Sequence, residues 1–152
     1  MTATSHSLTG AVIALAIKQP LLAIPLALLS HFICDMIPHF DSGASNQKIA
    51  RLAIAVDCAV AGTATLLLSF VLDLGVPHWQ IFLCMFAAMS PDLVWGWRYY
   101  RLKDLKKVIS EPMSRFSNKH QKIQWSETPQ GLAVDLAWSA TMVILIARLA
   151  QG

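Results

Sequence analysis

His31 and Asp35 stand four residues apart in Ser30-His31-Phe32-Ile33-Cys34-Asp35-Met36-Ile37-Pro38-His39-Phe40-Asp41, inside an otherwise apolar run. On a helix that spacing stacks both side chains on one face, where they can reach the same ion. Pro38 cannot continue such a helix, so the chain is predicted to turn there and swing His39 and Asp41 toward the same place. Imidazole and carboxylate together suit a divalent ion, zinc or manganese before others, in a site of one or two ions. An ion that keeps a coordination position open can bind and activate water. Several carboxylates crowded together without a cation would instead be forced to share protons. His6, Asp92 and His120 are further candidate ligands, and Asp57 and Asp135 are candidates for orienting ligands or relaying protons in catalysis.

The elements that must carry these groups follow from composition. The chain has 152 residues, 55% of them hydrophobic and only 14% charged, with a mean hydropathy of +0.52. That balance is too apolar for an ordinary soluble domain of this length. The predicted fold is all-α, a single multi-pass integral membrane bundle of four to five helices over residues 1–152. The helices are expected over about 6–17, 21–37, 49–73, 79–100 and 130–150. The first two form a short hairpin around Lys18-Gln19-Pro20, and its first arm is too short to promise a full crossing. Asp73-Leu74-Gly75-Val76-Pro77 reads as a turn, and Thr128 with Pro129 reads as the N-cap and first position of the last helix. The N-terminus lacks a basic stretch and a small-residue cleavage site, so the first apolar segment is expected to be retained. Cys34, Cys58 and Cys84 are isolated in apolar stretches, against a disulfide framework or a thiolate zinc site.

Orientation comes from the basic residues. The connection over about 98–128 carries Arg98, Arg101, Lys103, Lys106, Lys107, Arg115, Lys119 and Lys122 against Asp104, Glu111 and Glu127, and is expected to be cytoplasmic. The N-terminus, Lys48 and Arg51 then fall on the same side. In this topology His6, the His31 to Asp41 cluster, Asp57, Asp92, His120 and Asp135 all map to one leaflet, with Asp73 and His78 at the opposite rim. An ionisable side chain at the bilayer centre costs about 2.5–3.5 kcal/mol even on the lenient insertion scale. Their convergence on one end is how a bundle builds a metal or catalytic site.

Each group has a plainer competitor. His6 could be a surface residue near the terminus, and His31 with Asp35 a hydrogen-bonded pair tying two helices. Asp57 and Asp135 could satisfy backbone groups, and Asp92 could cap a helix after the kink at Pro91. His120 could be solvated in its loop, and His78 reads as interfacial. Trp79 at one rim and Trp95, Trp97, Tyr99, Tyr100 and Trp125 at the other read as aromatic belts. Leu102, Leu105, Val108 and Ile109 fall at helical spacing among the basic residues, which predicts an interfacial amphipathic helix on anionic lipid. The same charge could attract a phosphate-bearing, lipid-like substrate. Nucleic acid is not an expected partner, because membrane topology accounts for the modest basic excess.

The segment Ser30-His31-Phe32-Ile33-Cys34-Asp35 resembles the Ser-His-x-x-x-Asp segment of the small bacterial inner-membrane proteins, LexA-regulated members among them, classed as predicted membrane-bound metal-dependent hydrolases. Met1 to Gly10, with its early His6, is similar to their N-terminal histidine and small-residue helix. Ser90-Pro91-Asp92 is similar to the start of their Pro-Asp-x-Asp-His motif, although Leu93-Val94-Trp95 follows in place of the rest, and a Gly-His-Arg-x-x-x-His-Ser segment is missing. The resemblance implies a helical membrane fold, a hydrolase activity, and metal-site roles for His6, His31, Asp35 and Asp92. The expected function is a membrane-embedded hydrolase of an ester or phosphoester, with a His/Asp metal site at the cytoplasmic rim. The alternatives are a proton- or metal-ion-binding transporter and a non-catalytic structural membrane protein.

Overall fold

The computed structural model describes residues 1–40, 47–93, 119, 122–123 and 127–151, with the backbone alone over 47–51. The protein is predominantly α-helical. In chain order the elements are α1 (Ala3–Ala16), α2 (Pro20–Asp35), β1 (His39–Phe40), α3 (Gln47–Leu66), α4 (His78–Met89), β2 (Glu127–Thr128) and α5 (Gly131–Leu149). Asp41, His120 and the segment expected to form the interfacial helix lie outside the described residues.

The centre of the bundle is α1, which packs against α2, α3, α4 and α5. Ala11 and Ala14 are fully buried there among Ala23, Ala27, Ile81, Cys84, Met85 and Ala88, small residues that let helix axes approach closely. The closest approach is at Gly10, where an added Cβ would sit 2.5 Å from the Cys84 carbonyl oxygen and 2.8 Å from Met85 Cα. Main chain cannot retreat as a side chain can. Gly10→Ala is therefore expected to destabilise the protein by about 1–3 kcal/mol, the usual range for overpacking, read as a lowered midpoint of unfolding in detergent.

Helix α1 begins three residues earlier than the apolar pattern predicts. Thr2 is its N-cap, with Thr2 Oγ1 accepting from Ser5 N at 3.2 Å, and the run Thr4-Ser5-His6-Ser7 is helical although polar. Its far end is satisfied from α4: the buried Gln80 amide donates to the Ala14 and Ile17 carbonyls at 3.2 and 2.9 Å. Both ends of a short helix are thus closed by side chains. Helix α2 stops at Asp35, as Pro38 requires, and Ile37 N takes the Cys34 carbonyl at 3.0 Å.

Helix α3 runs into a π-turn over Leu67–Val71, and His78 Nδ1 lies 2.5 Å from the Ser69 carbonyl freed there. The predicted turn follows, with Gly75 at φ 71° and Gly75 N donating to Asp73 Oδ1 at 3.2 Å. Helix α4 ends in a 3₁₀ turn, Ser90–Asp92, with Pro91 inside it. The last helix opens two residues later than predicted. Thr128 still serves its first turn, accepting from Gly131 N at 3.2 Å, but Glu127–Thr128 form a short strand that pairs in parallel with β1, His39 against Glu127 and Phe40 against Thr128.

Buried polar groups and exposed large apolar side chains accompany the apolar core. The interior holds Ser5, His6, Ser7, His31, Asp35, Ser69, Gln80 and Asp135, while Leu21 is 80% and Leu52 66% exposed. Among the described residues two helical segments, Leu52–Val71 and Gly131–Leu149, are by length and composition long and apolar enough to cross a membrane, with mean hydropathies of 1.9 and 1.7. All three cysteines are unpaired.

Candidate metal centre

Three segments bring four side chains together. Helix α1 supplies His6 from the end of its first turn, α2 supplies His31 and Asp35 from its C-terminal end, and the 3₁₀ turn after α4 supplies Asp92. The i,i+4 spacing works as expected, since His31 Nε2 lies 3.2 Å from Asp35 Oδ2. His6 Nε2 lies 3.0 Å from Asp35 Oδ1. Across from Asp35, Asp92 places Oδ1 3.6 Å from His31 Nε2 and Oδ2 4.0 Å from His6 Nε2. Imidazole and carboxylate therefore alternate around a closed ring of His6, Asp35, His31 and Asp92. The two imidazoles stack with centroids 4.0 Å apart, and one ligand atom from each of His6, His31 and Asp35 fits within 4.8 Å of the others.

The tautomer of His31 is fixed by its neighbour. Its Nδ1 lies 2.7 Å from the Ala88 carbonyl oxygen, which can only accept, so Nδ1 carries the hydrogen. In the neutral ring Nε2 then presents a lone pair to two carboxylates, an arrangement that needs a proton or a cation between them. A backbone carbonyl holding the distal N–H is the usual support of a metal-binding histidine. Donors about 2.0–2.2 Å from a tetrahedral ion lie about 3.4 Å from one another, and Asp35 stands 3.0 Å from His6 Nε2 and 3.2 Å from His31 Nε2. On the chemistry of the donor set and on its spacing, His6, His31 and Asp35 fit a divalent ion, with Asp92 a second carboxylate at 3.6 and 4.0 Å from the imidazoles of His31 and His6.

Burial is uneven around the ring. The side chains of His6, His31 and Asp35 are fully enclosed, whereas Asp92 is 30% exposed. Asp92 is the face from which water or a substrate can arrive. His6 Nδ1 is buried and has no hydrogen-bond partner among the described residues. The Met1 amino group ion-pairs with Asp35 Oδ1 as well.

The other candidates are placed differently. His39 is buried in β1, with Nδ1 2.7 Å from the Ile37 carbonyl, and does not belong to the group formed by His6, His31 and Asp35. Asp57 accepts from Ala3 N at 2.6 Å, Thr4 N at 3.1 Å and Thr4 Oγ1 at 2.6 Å. Asp135 accepts at Oδ1 from Thr2 N, Thr2 Oγ1 and Ser5 Oγ at 3.0, 3.1 and 2.8 Å, and at Oδ2 from Phe40 N at 2.8 Å. Both carboxylates grip the first turn of α1. The hydroxyls they use, on Thr2, Thr4 and Ser5, were missed as functional by sequence reasoning. Their signal was a run of small hydroxylic residues at the start of a helix, where they can turn inward.

No family model, curated protein or solved structure matches the chain.

Proposed function

We propose that the protein is a membrane-embedded, metal-dependent hydrolase, in which His6, His31, Asp35 and Asp92 hold a divalent ion, zinc or manganese, at the cytoplasmic rim of the bilayer. The observation that carries this reading is the alternating ring with its fixed His31 tautomer: donors of the right type, at ligand spacing, mostly closed to solvent. When bound, the ion would act as a Lewis acid toward water and toward the oxygen of an ester or phosphoester. His31 and Asp35 anchor the ring, and Asp92, the exposed member, faces the approach of a substrate. A lipid-like substrate suits that depth, and the resemblance of the Ser-His-x-x-x-Asp segment supports hydrolysis.

Membrane insertion has its own support. Leucines face outward and hydroxyls inward, which suits lipid as the solvent. Helix α1, at 14 residues, is about 21 Å long against about 30 Å of hydrocarbon, and its ends meet side chains within the protein. The basic stretch between Asp92 and α5 supports a cytoplasmic placement of the site-bearing end.

The test is metal content by inductively coupled plasma mass spectrometry of the detergent-purified chain beside His31→Ala/Asp35→Ala. A near-stoichiometric ion in the first and none in the second is the expected result, followed by release of product from an ester- or phosphoester-lipid panel only by the first. A wild-type chain that stays empty after reconstitution with zinc and manganese sinks the proposal. A second reading, a structural polar cluster, draws on the Met1 amino group as a cation for Asp35, and an empty, stable wild-type chain is its signature.

A further inference from the structure

His31 and His6 differ in how their rings are held. His31 has the Ala88 carbonyl on its distal nitrogen at 2.7 Å, whereas the distal nitrogen of His6 is buried with no partner among the described residues. A metal-binding histidine normally takes its orientation from a hydrogen bond at that nitrogen, so His6 must take its orientation from the backbone that carries it. That backbone is tied by side chains from two other helices. Asp57 from α3 takes the Ala3 and Thr4 amides, Asp135 from α5 takes the Thr2 amide and the Ser5 hydroxyl, and His6 N closes back onto the Thr2 carbonyl at 3.1 Å.

We propose that Asp57 and Asp135 are positioning residues for His6: they clamp the first turn of α1 and so hold the His6 ring in the metal ring. Of the two functional roles the sequence leaves open for these aspartates, orienting ligands and relaying protons, this is the first, because their oxygens face the donors of α1 and β1. The inference rests on the metal reading. Asp135 also binds Phe40 N, so the clamp joins α1 to the strand β1. Asparagine at position 57 keeps one acceptor oxygen and turns an amide group toward backbone donors, which loosens the turn without emptying the space.

Cobalt(II) titration of the full chain in detergent tests the proposal through affinity and the visible absorption of the bound ion, with no need for a substrate. Asp57→Asn is expected to weaken cobalt binding about 10- to 100-fold, the range for an outer residue that orients a ligand, and to move the spectrum toward that of His6→Ala. Thr4→Val, which deletes the hydroxyl bonds to Asp57, 2.6 Å to Oδ1 and 3.4 Å to the carbonyl oxygen, is expected to act in the same direction by less, and it carries the test if Asp57→Asn does not fold. In a His6→Ala background neither change should have a further effect. Unchanged affinity in the wild-type background, or equal losses with and without His6, overturns the clamp. A wild-type chain that binds no cobalt overturns the metal reading and the clamp with it, and so is distinguishable from failure of the clamp alone.

Discussion

Asp35→Asn is expected to remove stoichiometric metal binding, weakening affinity by more than about 100-fold, because loss of a ligand exceeds the 10- to 100-fold typical of an outer-shell change. Asp35 is the only carboxylate in the ring whose two oxygens face both histidines closely, at 3.0 and 3.2 Å. Asparagine keeps the shape but offers one neutral oxygen and turns an N–H₂ group toward the other imidazole. The readout is thermal unfolding with and without added ion. A wild-type chain at an ion concentration about 100 times Kd should gain about 2.7 kcal/mol, and Asp35→Asn no more than about 0.4 kcal/mol. An equal gain in both would place the ion elsewhere.

Gly131→Ala carries the largest expected loss of stability. An added Cβ at the first residue of α5 would fall onto the carbonyl carbon and oxygen of His39, with Phe40 N 2.6 Å away. These are backbone atoms already tied to β2 and to Asp135, so relief requires moving the strand. A cost of about 3 kcal/mol or more, at the upper end for overpacking, is expected in detergent unfolding. Gly62→Ala is the internal control: nothing lies within 4 Å of its added Cβ, and alanine in a helix interior is favoured by about 0.5–1 kcal/mol. If the two variants unfold alike, the docking of β1 on α5 is wrong.

The half of the site carried by α2 was legible because it is local. His31 and Asp35 share a helical face by spacing alone, and Pro38 dictates where that helix stops. Asp92 was readable from Ser90-Pro91-Asp92, where a proline-bearing turn presents the carboxylate. For Asp57 and Asp135 the sequence left several roles open, orienting ligands, relaying protons or satisfying backbone groups, and their partners were not legible. The two aspartates were expected near the ion because they lie near the ends of apolar segments, and they do lie at that end of the bundle, but their partners are amides of α1. Any residue supplies an amide, so only packing decides which carboxylate meets it. The β1–β2 pair was equally hidden, since two residues in each strand leave no alternation to detect. The start of α1 was read late because its first turn is polar, and a hydrophobic window begins only where leucine does.

The clamp on α1 also fixes an order of events. Ser5 and Asp135 are 130 residues apart in sequence, so α1 leaves the ribosome well before α5 and finds this partner only when α5 has been made. Until then its polar turn is without Asp135 and the His6 ring is without its full support. Maturation of the site is thereby deferred until α5 has been made, and a chain released before α5 would be unable to complete it.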